Sequence, residues 1–140
     1  MDLARKMKMI DECIKRKANA DLEEIDLTFA QHHTLVFLVL REEHTAELKE
    51  IEREFKVSQP TVAGIAQRLE AKGYVEALQH PTDKRVKMIR LTPQGEALCR
   101  RSWEKMKARG ERMTAGLSEA ELAELDRLLD VVYNNIESGD

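Results

Sequence analysis

The sequence predicts a mainly α fold interrupted by one small β-hairpin, in the order α-α-α-α-β-β-α-α. Three observations predict it. Apolar residues recur at helical spacing over most of the chain. One stretch, Tyr74–Gln79 and Val86–Leu91 with Pro81-Thr82-Asp83 between, reads instead as two strands and a turn. Three prolines and six glycines in 140 residues leave little room for long loops.

The elements follow in chain order. Leu3, Met7, Ile10 and Ile14, with Lys and Arg between them, give a first helix over residues 2–20, and Asp21–Asp26 reads as an acidic connector. Thr28 and Gln31 form a capping box that opens a second helix. That helix carries Leu35-Val36-Phe37-Leu38-Val39-Leu40, apolar almost all round, so it is expected at the buried centre. A short helix from Ala46 to Phe55 follows, with Leu48, Ile51 and Phe55 on its core side. Lys56-Val57 makes a tight turn. Ser58 caps the next helix, Pro60 suits its first turn, and Gly73 stops it after Lys72. After the hairpin, Thr92-Pro93 opens a helix running to about Ala115. Ser118 with Glu121 opens a last one with a stripe of Leu122, Leu125, Leu128, Leu129, Val132, Tyr133 and Ile136.

Composition excludes several classes. With 42% apolar residues the chain can build a core, and at 140 residues it is one domain with extensions. The N-terminus has no apolar signal core, and Leu35–Leu40 is far too short to span a bilayer, so a soluble cytoplasmic chain without membrane association is expected. Cys13 and Cys99 form no CxxC and no metal-type cluster. His32 and His33 are adjacent, so on a helix they point to different sides and do not chelate together. No nucleophile elbow, phosphate loop or HExxH is present, so neither an enzyme, a metal site nor a cofactor is expected. The formal charge of −3 hides a pattern: residues 58–92 are net positive, whereas residues 118–140 hold seven acids against Arg127 alone.

The basic segment carries the functional signal. On a helical wheel Val62, Ile65, Ala66 and Leu69 fall together and must face the core. The opposite face is Pro60, Gly64, Gln67 and Ala71, flanked by Thr61, Ala63 and Arg68: small and uncharged up to Gln67, where an ordinary solvent face would be rich in Glu and Lys. Gly64 inside a helix costs about 1 kcal/mol against Ala, which close approach of the backbone to base edges would offset. Gln59, Thr61 and Gln67 suit base edges, and Ser58 and Thr61 suit phosphates at a helix N-terminus. At the hairpin tip His80-Pro81-Thr82-Asp83-Lys84-Arg85, Arg85 suits a narrow minor groove, Lys84 sits beside it, and Asp83 orients the loop by an Asx-type bond or a basic partner. A helix shaped for a groove beside a basic hairpin is a winged helix-turn-helix. The rival readings are a winged helix used for protein–protein contact, and a redox- or metal-responsive switch on the same scaffold, with Cys13 or a histidine as its sensor.

The sequence resembles the MarR family of transcriptional regulators nearly end to end. Leu27-Thr28-x-x-Gln31 is similar to the start of that family's second helix. Val57-Ser58-Gln59-Pro60-Thr61-Val62, then Arg68-Leu69-Glu70-x-Lys72-Gly73-Tyr74-Val75, resembles its recognition helix and first wing strand. Pro81-x-Asp83-x-Arg85 resembles the wing signature; Leu91-Thr92-x-x-Gly95 and Leu117-Ser118-x-x-Glu121 resemble the starts of the last two helices. Ala63-Gly64 departs from the polar pair common there, Lys84 replaces a frequent Arg, and Ala77 replaces an Arg that often supports the wing, which leaves the partner of Asp83 open.

The resemblance implies one domain over residues 1–140, with the winged helix-turn-helix in 28–92 and dimerisation helices in 1–20 and 93–137. It implies a homodimeric repressor on a pseudo-palindromic duplex DNA site, released by a small, aromatic or phenolic, ligand. The DNA-binding residues expected are Ser58, Gln59, Pro60, Thr61, Ala63, Gly64, Gln67, Arg68, Lys84 and Arg85, with Asp83 orienting the wing.

Overall fold

The computed structural model describes residues 2–139. Its elements are α1 (Leu3–Glu24), α2 (Phe29–Val39), a single 3-10 turn (Glu42–His44), β1 (Thr45–Glu47), α3 (Leu48–Phe55), α4 (Gln59–Ala71), β2 (Val75–Gln79), β3 (Lys87–Leu91), α5 (Pro93–Met113) and α6 (Glu119–Ser138). The described residues up to Arg100 form one compact unit, and those from Arg101 onward a second.

In the first unit, α2, α3, α4, the start of α5 and a three-stranded antiparallel sheet of order β1-β3-β2 surround one core. Leu35 and Leu38 of α2, Ile51 of α3, Val62 and Leu69 of α4 and Val75 of β2 are fully buried there. Each such side chain contributes about 1.5–3 kcal/mol through the apolar surface it removes from water. Among the described residues, all four positions that the wheel assigns to the core side of α4 are buried.

Local signals set the boundaries. The Thr28 hydroxyl accepts from the Gln31 backbone N–H at 3.2 Å, and Gln31 Oε1 accepts from the Thr28 N–H at 3.2 Å, so both orphan donors at the start of α2 are satisfied. Ser58 caps α4, and Gly73, at φ 82°, turns the chain out of it. Thr92 fixes the start of α5 to the end of α4: its hydroxyl donates to the Gly73 carbonyl at 2.6 Å and accepts from the Gly95 N–H at 3.1 Å.

Two expectations about element bounds need correction. The acidic connector is helical: α1 runs through Asp21 and Leu22 to Glu24, and the chain turns at Asp26 with φ 54°. Asp and Glu are tolerable helix formers, and no Gly or Pro interrupts them. The helix expected from Ala46 starts at Leu48, because Thr45–Glu47 is strand β1, with Ala46 paired to Ile89. Ala46 is fully buried there, and three residues are too few to show strand alternation in sequence. The second helix is also less uniformly buried than its composition suggests: Leu35 and Leu38 are inside, whereas Leu40 is exposed.

The second unit holds the rest of α5 and the whole of α6. Ser118 caps α6 by a reciprocal box with Glu121. Leu122, Leu125, Leu128, Leu129, Tyr133 and Ile136 lie exposed on that helix, Ile136 at 70%. In the first unit, Leu3, Ile10 and Ile14 of α1 are exposed in the same way.

Candidate nucleic-acid interface

The interface is built on α4 and on the loop joining β2 to β3. The turn into α4 passes through Lys56 in the left-handed region, φ 53°. Ser58 then closes the helix N-terminus: its Oγ accepts from the Thr61 backbone N–H at 3.4 Å and lies 2.9 Å from Thr61 Oγ1. Ser58 and Thr61 therefore present their hydroxyls as a bonded pair at the positive end of the helix dipole. Gln59, Pro60, Thr61, Gln67 and Arg68 are exposed, and Ala63 and Gly64 are half-buried.

Gly64 has room to spare only if one side chain shifts. Among the described residues, a Cβ placed on it meets Arg68 Nη1 at 3.3 Å and no other such neighbour within 4 Å, so the guanidinium must give by a few tenths of an ångström. That atom is the tip of a flexible side chain. Among the described residues, no neighbouring helix packs closely enough on Gly64 to require a glycine there. Arg68 forms no ion pair among the described residues, whereas Lys72 is engaged with the backbone carbonyl and carboxylate of Asp26.

The wing tip is more ordered than a solvent loop. Asp83 Oδ1 accepts from the Arg85 backbone N–H at 3.0 Å and from Arg85 Nε at 3.1 Å, while Oδ2 accepts from Arg85 Nη2 at 3.2 Å. Both roles read for Asp83, the Asx-type bond and the basic partner, are filled by one residue. The partner that Ala77 leaves open is Arg85 itself. The Arg85 side chain and backbone together hold the Asp83 carboxyl below the usual carboxylate range. The Arg85 side chain stays 90% exposed, and Lys84 is exposed without an ion pair among the described residues. Lower on the hairpin, Arg90 of β3 donates from Nε to Glu76 Oε1 across the strand pair at 2.7 Å.

Sequence reasoning missed His80. Its Nδ1 accepts from the backbone N–H of Thr82 at 3.2 Å and of Asp83 at 3.1 Å, and its Nε2 lies 3.8 Å from Glu47 Oε1. An acceptor two and three residues before a turn is the role usually read from Asn, Asp or Ser, so an imidazole gives no such signal. On α2, His33 stacks on Phe55 at 4.6 Å between ring centroids, and His32 Nε2 is buried with no hydrogen-bond partner among the described residues. Burial first, and His33 second, push His32 below the usual histidine range. Among the described residues no cluster of His, Cys, Asp or Glu could hold a metal ion. Cys13 is exposed; Cys99 is buried, and burial with Glu96 raises its thiol to about 11, where the reactive thiolate is scarce at neutral pH. A polar open cleft of about 540 Å³ lies beside β1, lined by Arg41, Glu42, Glu47, Glu50 and Met88 among others. Among the described residues no helix is long and apolar enough to cross a membrane.

A capped helix with an open outer face, followed by a hairpin with a braced basic tip, defines the winged helix-turn-helix class. Comparisons with known proteins agree. Residues 25–86 match the model of the MarR family. The HTH-type transcriptional repressor IacR of Pseudomonas putida is 30% identical over 117 residues, spanning 84% of this chain and 69% of that protein. The multiple antibiotic resistance protein MarR of Escherichia coli is 30% identical over 132 residues, spanning 93% and 90%. Among solved structures, that of the S. aureus MepR–DNA complex superposes with a TM-score of 0.83 at 26% identity, covering 95% of this chain and 98% of that one. The chain belongs to the MarR family and is a DNA-binding transcriptional regulator of the winged-helix type.

Proposed function

We propose that the protein is a repressor that binds a pseudo-palindromic operator as a homodimer, with α4 of each copy in a major groove and each wing in the adjacent minor groove. The observation that carries this reading is the open face of α4 around Gly64, on a chain whose wing holds Arg85 in place through Asp83. Ser58 and Thr61, at the helix N-terminus, and Arg68 contact phosphates; Gln59 and Gln67 meet base edges; Pro60, Ala63 and Gly64 let the backbone approach. Lys84 and Arg85 enter the minor groove, where negative potential is concentrated.

The homodimer is supported by the exposed apolar residues of α1 and of α6, which in a single copy face water. A relative named as a repressor and a structural neighbour captured with DNA support the direction of regulation and the partner. Release by a small aromatic or phenolic ligand is the part of the reading that rests on family membership.

Retention of genomic fragments by the purified chain tests the reading. Specific duplexes should be recovered and shifted on gels, and sedimentation should give twice the chain mass. Arg85→Ala should weaken the complex by about 1–3 kcal/mol. A monomer, or binding to a protein partner that no duplex displaces, would overturn it.

A further inference from the structure

The wing loop has a second anchor besides Asp83, and it is titratable. His80 follows β2 directly and precedes Pro81, whose ring fixes φ and removes one donor from the loop. Two backbone donors, Thr82 N–H at 3.2 Å and Asp83 N–H at 3.1 Å, converge on His80 Nδ1. A nitrogen that accepts has its lone pair free, so the ring proton sits on Nε2. That nitrogen faces Glu47 Oε1 at 3.8 Å. Glu47 is the cap position of α3, and its own N–H donates to Glu50 Oε1 at 3.1 Å. The imidazole therefore holds the backbone that carries Asp83 beside the start of the first helix of the helix-turn-helix, and Asp83 in turn holds Arg85.

We propose that neutral His80 is the positioning residue of the wing, presenting Arg85 to DNA, and that proton uptake at Nδ1 releases the loop and weakens DNA binding. This rests on the reading that the wing grips duplex DNA. A proton on Nδ1 turns the acceptor into a donor facing two backbone N–H groups, so both backbone bonds are lost together, and the contact left to it in the loop is the Thr82 hydroxyl oxygen at 3.4 Å. The charged groups around the ring are Glu47 from the β1–α3 junction and Asp83 with Arg85 in its own loop. Lys87 opens β3 opposite Gln79, one residue from His80. The two carboxylates pair more strongly with an imidazolium, so the protonated ring is drawn toward Glu47 and does not restore the loop bonds.

The test is duplex affinity of the full chain by fluorescence anisotropy, on a labelled duplex selected from random-sequence DNA, between about pH 8 and about pH 5.5. Asn at position 80 offers an amide oxygen where Nδ1 stands and does not titrate in this range. His80→Asn should bind within about twofold of wild type at the upper pH, and His80→Leu about 5- to 10-fold more weakly. On acidification the wild type should lose about fivefold more affinity than His80→Asn, which differs from it at position 80 alone. That comparison needs no destabilised variant. Equal binding by His80→Leu and wild type, or one shared pH profile for wild type and His80→Asn, overturns the role of His80. Failure of the wild type to bind any duplex at either pH overturns the DNA reading itself, a distinct result.

Discussion

Asp83 and Arg85 form a closed unit: one carboxylate takes the Arg85 backbone N–H at 3.0 Å and two guanidinium nitrogens at 3.1 and 3.2 Å. An exposed ion pair alone contributes little to stability, because water screens it. Its effect here is geometric, since the same carboxylate fixes both the turn and the direction of the side chain. Asp83→Ala should leave thermal stability close to that of wild type and weaken DNA binding about 3- to 10-fold. Asp83→Asn, which keeps the bond to the Arg85 N–H, should fall between. Because Arg85 depresses the folded carboxyl, the bracing is complete above the ordinary carboxyl value of about 4 and fades as the pH drops through the lower folded value. Anisotropy and thermal melts on the three proteins check this.

Gly64→Ala separates a functional glycine from a structural one. Among the described residues, the added methyl meets the flexible end of Arg68 and no core atom, and helix propensity favours Ala by about 1 kcal/mol. The variant should therefore melt at a higher temperature and bind DNA more weakly. A variant that melts lower would show that Gly64 serves packing.

Gly95 behaves in the opposite way. A Cβ there falls on the Tyr74 carbonyl oxygen and 2.8 Å from Leu91 Cδ1, where α5 leaves the sheet. Backbone cannot step aside as a side-chain tip can. Gly95→Ala should cost about 3 kcal/mol or more, read as a lower denaturant midpoint.

His32 makes stability depend on pH. Its folded value is lowered by burial and by His33, so its neutral form is the one the fold accommodates. Stability should be intact above the ordinary histidine value of about 6.5 and decline as the pH falls toward the lowered folded value. His32→Leu should flatten that decline without lowering stability at neutral pH, because its buried Nε2 has no partner to lose. Urea melts across the range check it.

The caps and the wheel made much of this molecule readable in advance. Thr28 with Gln31, Ser58, Gly73 and Ser118 with Glu121 mark real boundaries, since each satisfies backbone groups locally. The core side of α4 was equally legible, because helical period alone decides it. β1 was not, because a three-residue strand exists only through its pairing with β3, a contact between distant parts of the chain. The role of His80 was hidden for a related reason: it depends on the loop conformation that places two N–H groups on one ring nitrogen. The partner of Asp83 lay two residues away, and only the folded loop distinguishes it from the other nearby cations.

The central claim is that α4 and the wing grip the phosphates and grooves of duplex DNA. The most direct measurement is the equilibrium constant of the wild-type protein on a selected duplex as a function of salt, beside Arg85→Ala. The account predicts a linear fall of log K with log salt, at about 0.9 per neutralised phosphate, and a shallower slope for the variant. An affinity indifferent to salt, with Arg85→Ala indistinguishable from wild type, would contradict it.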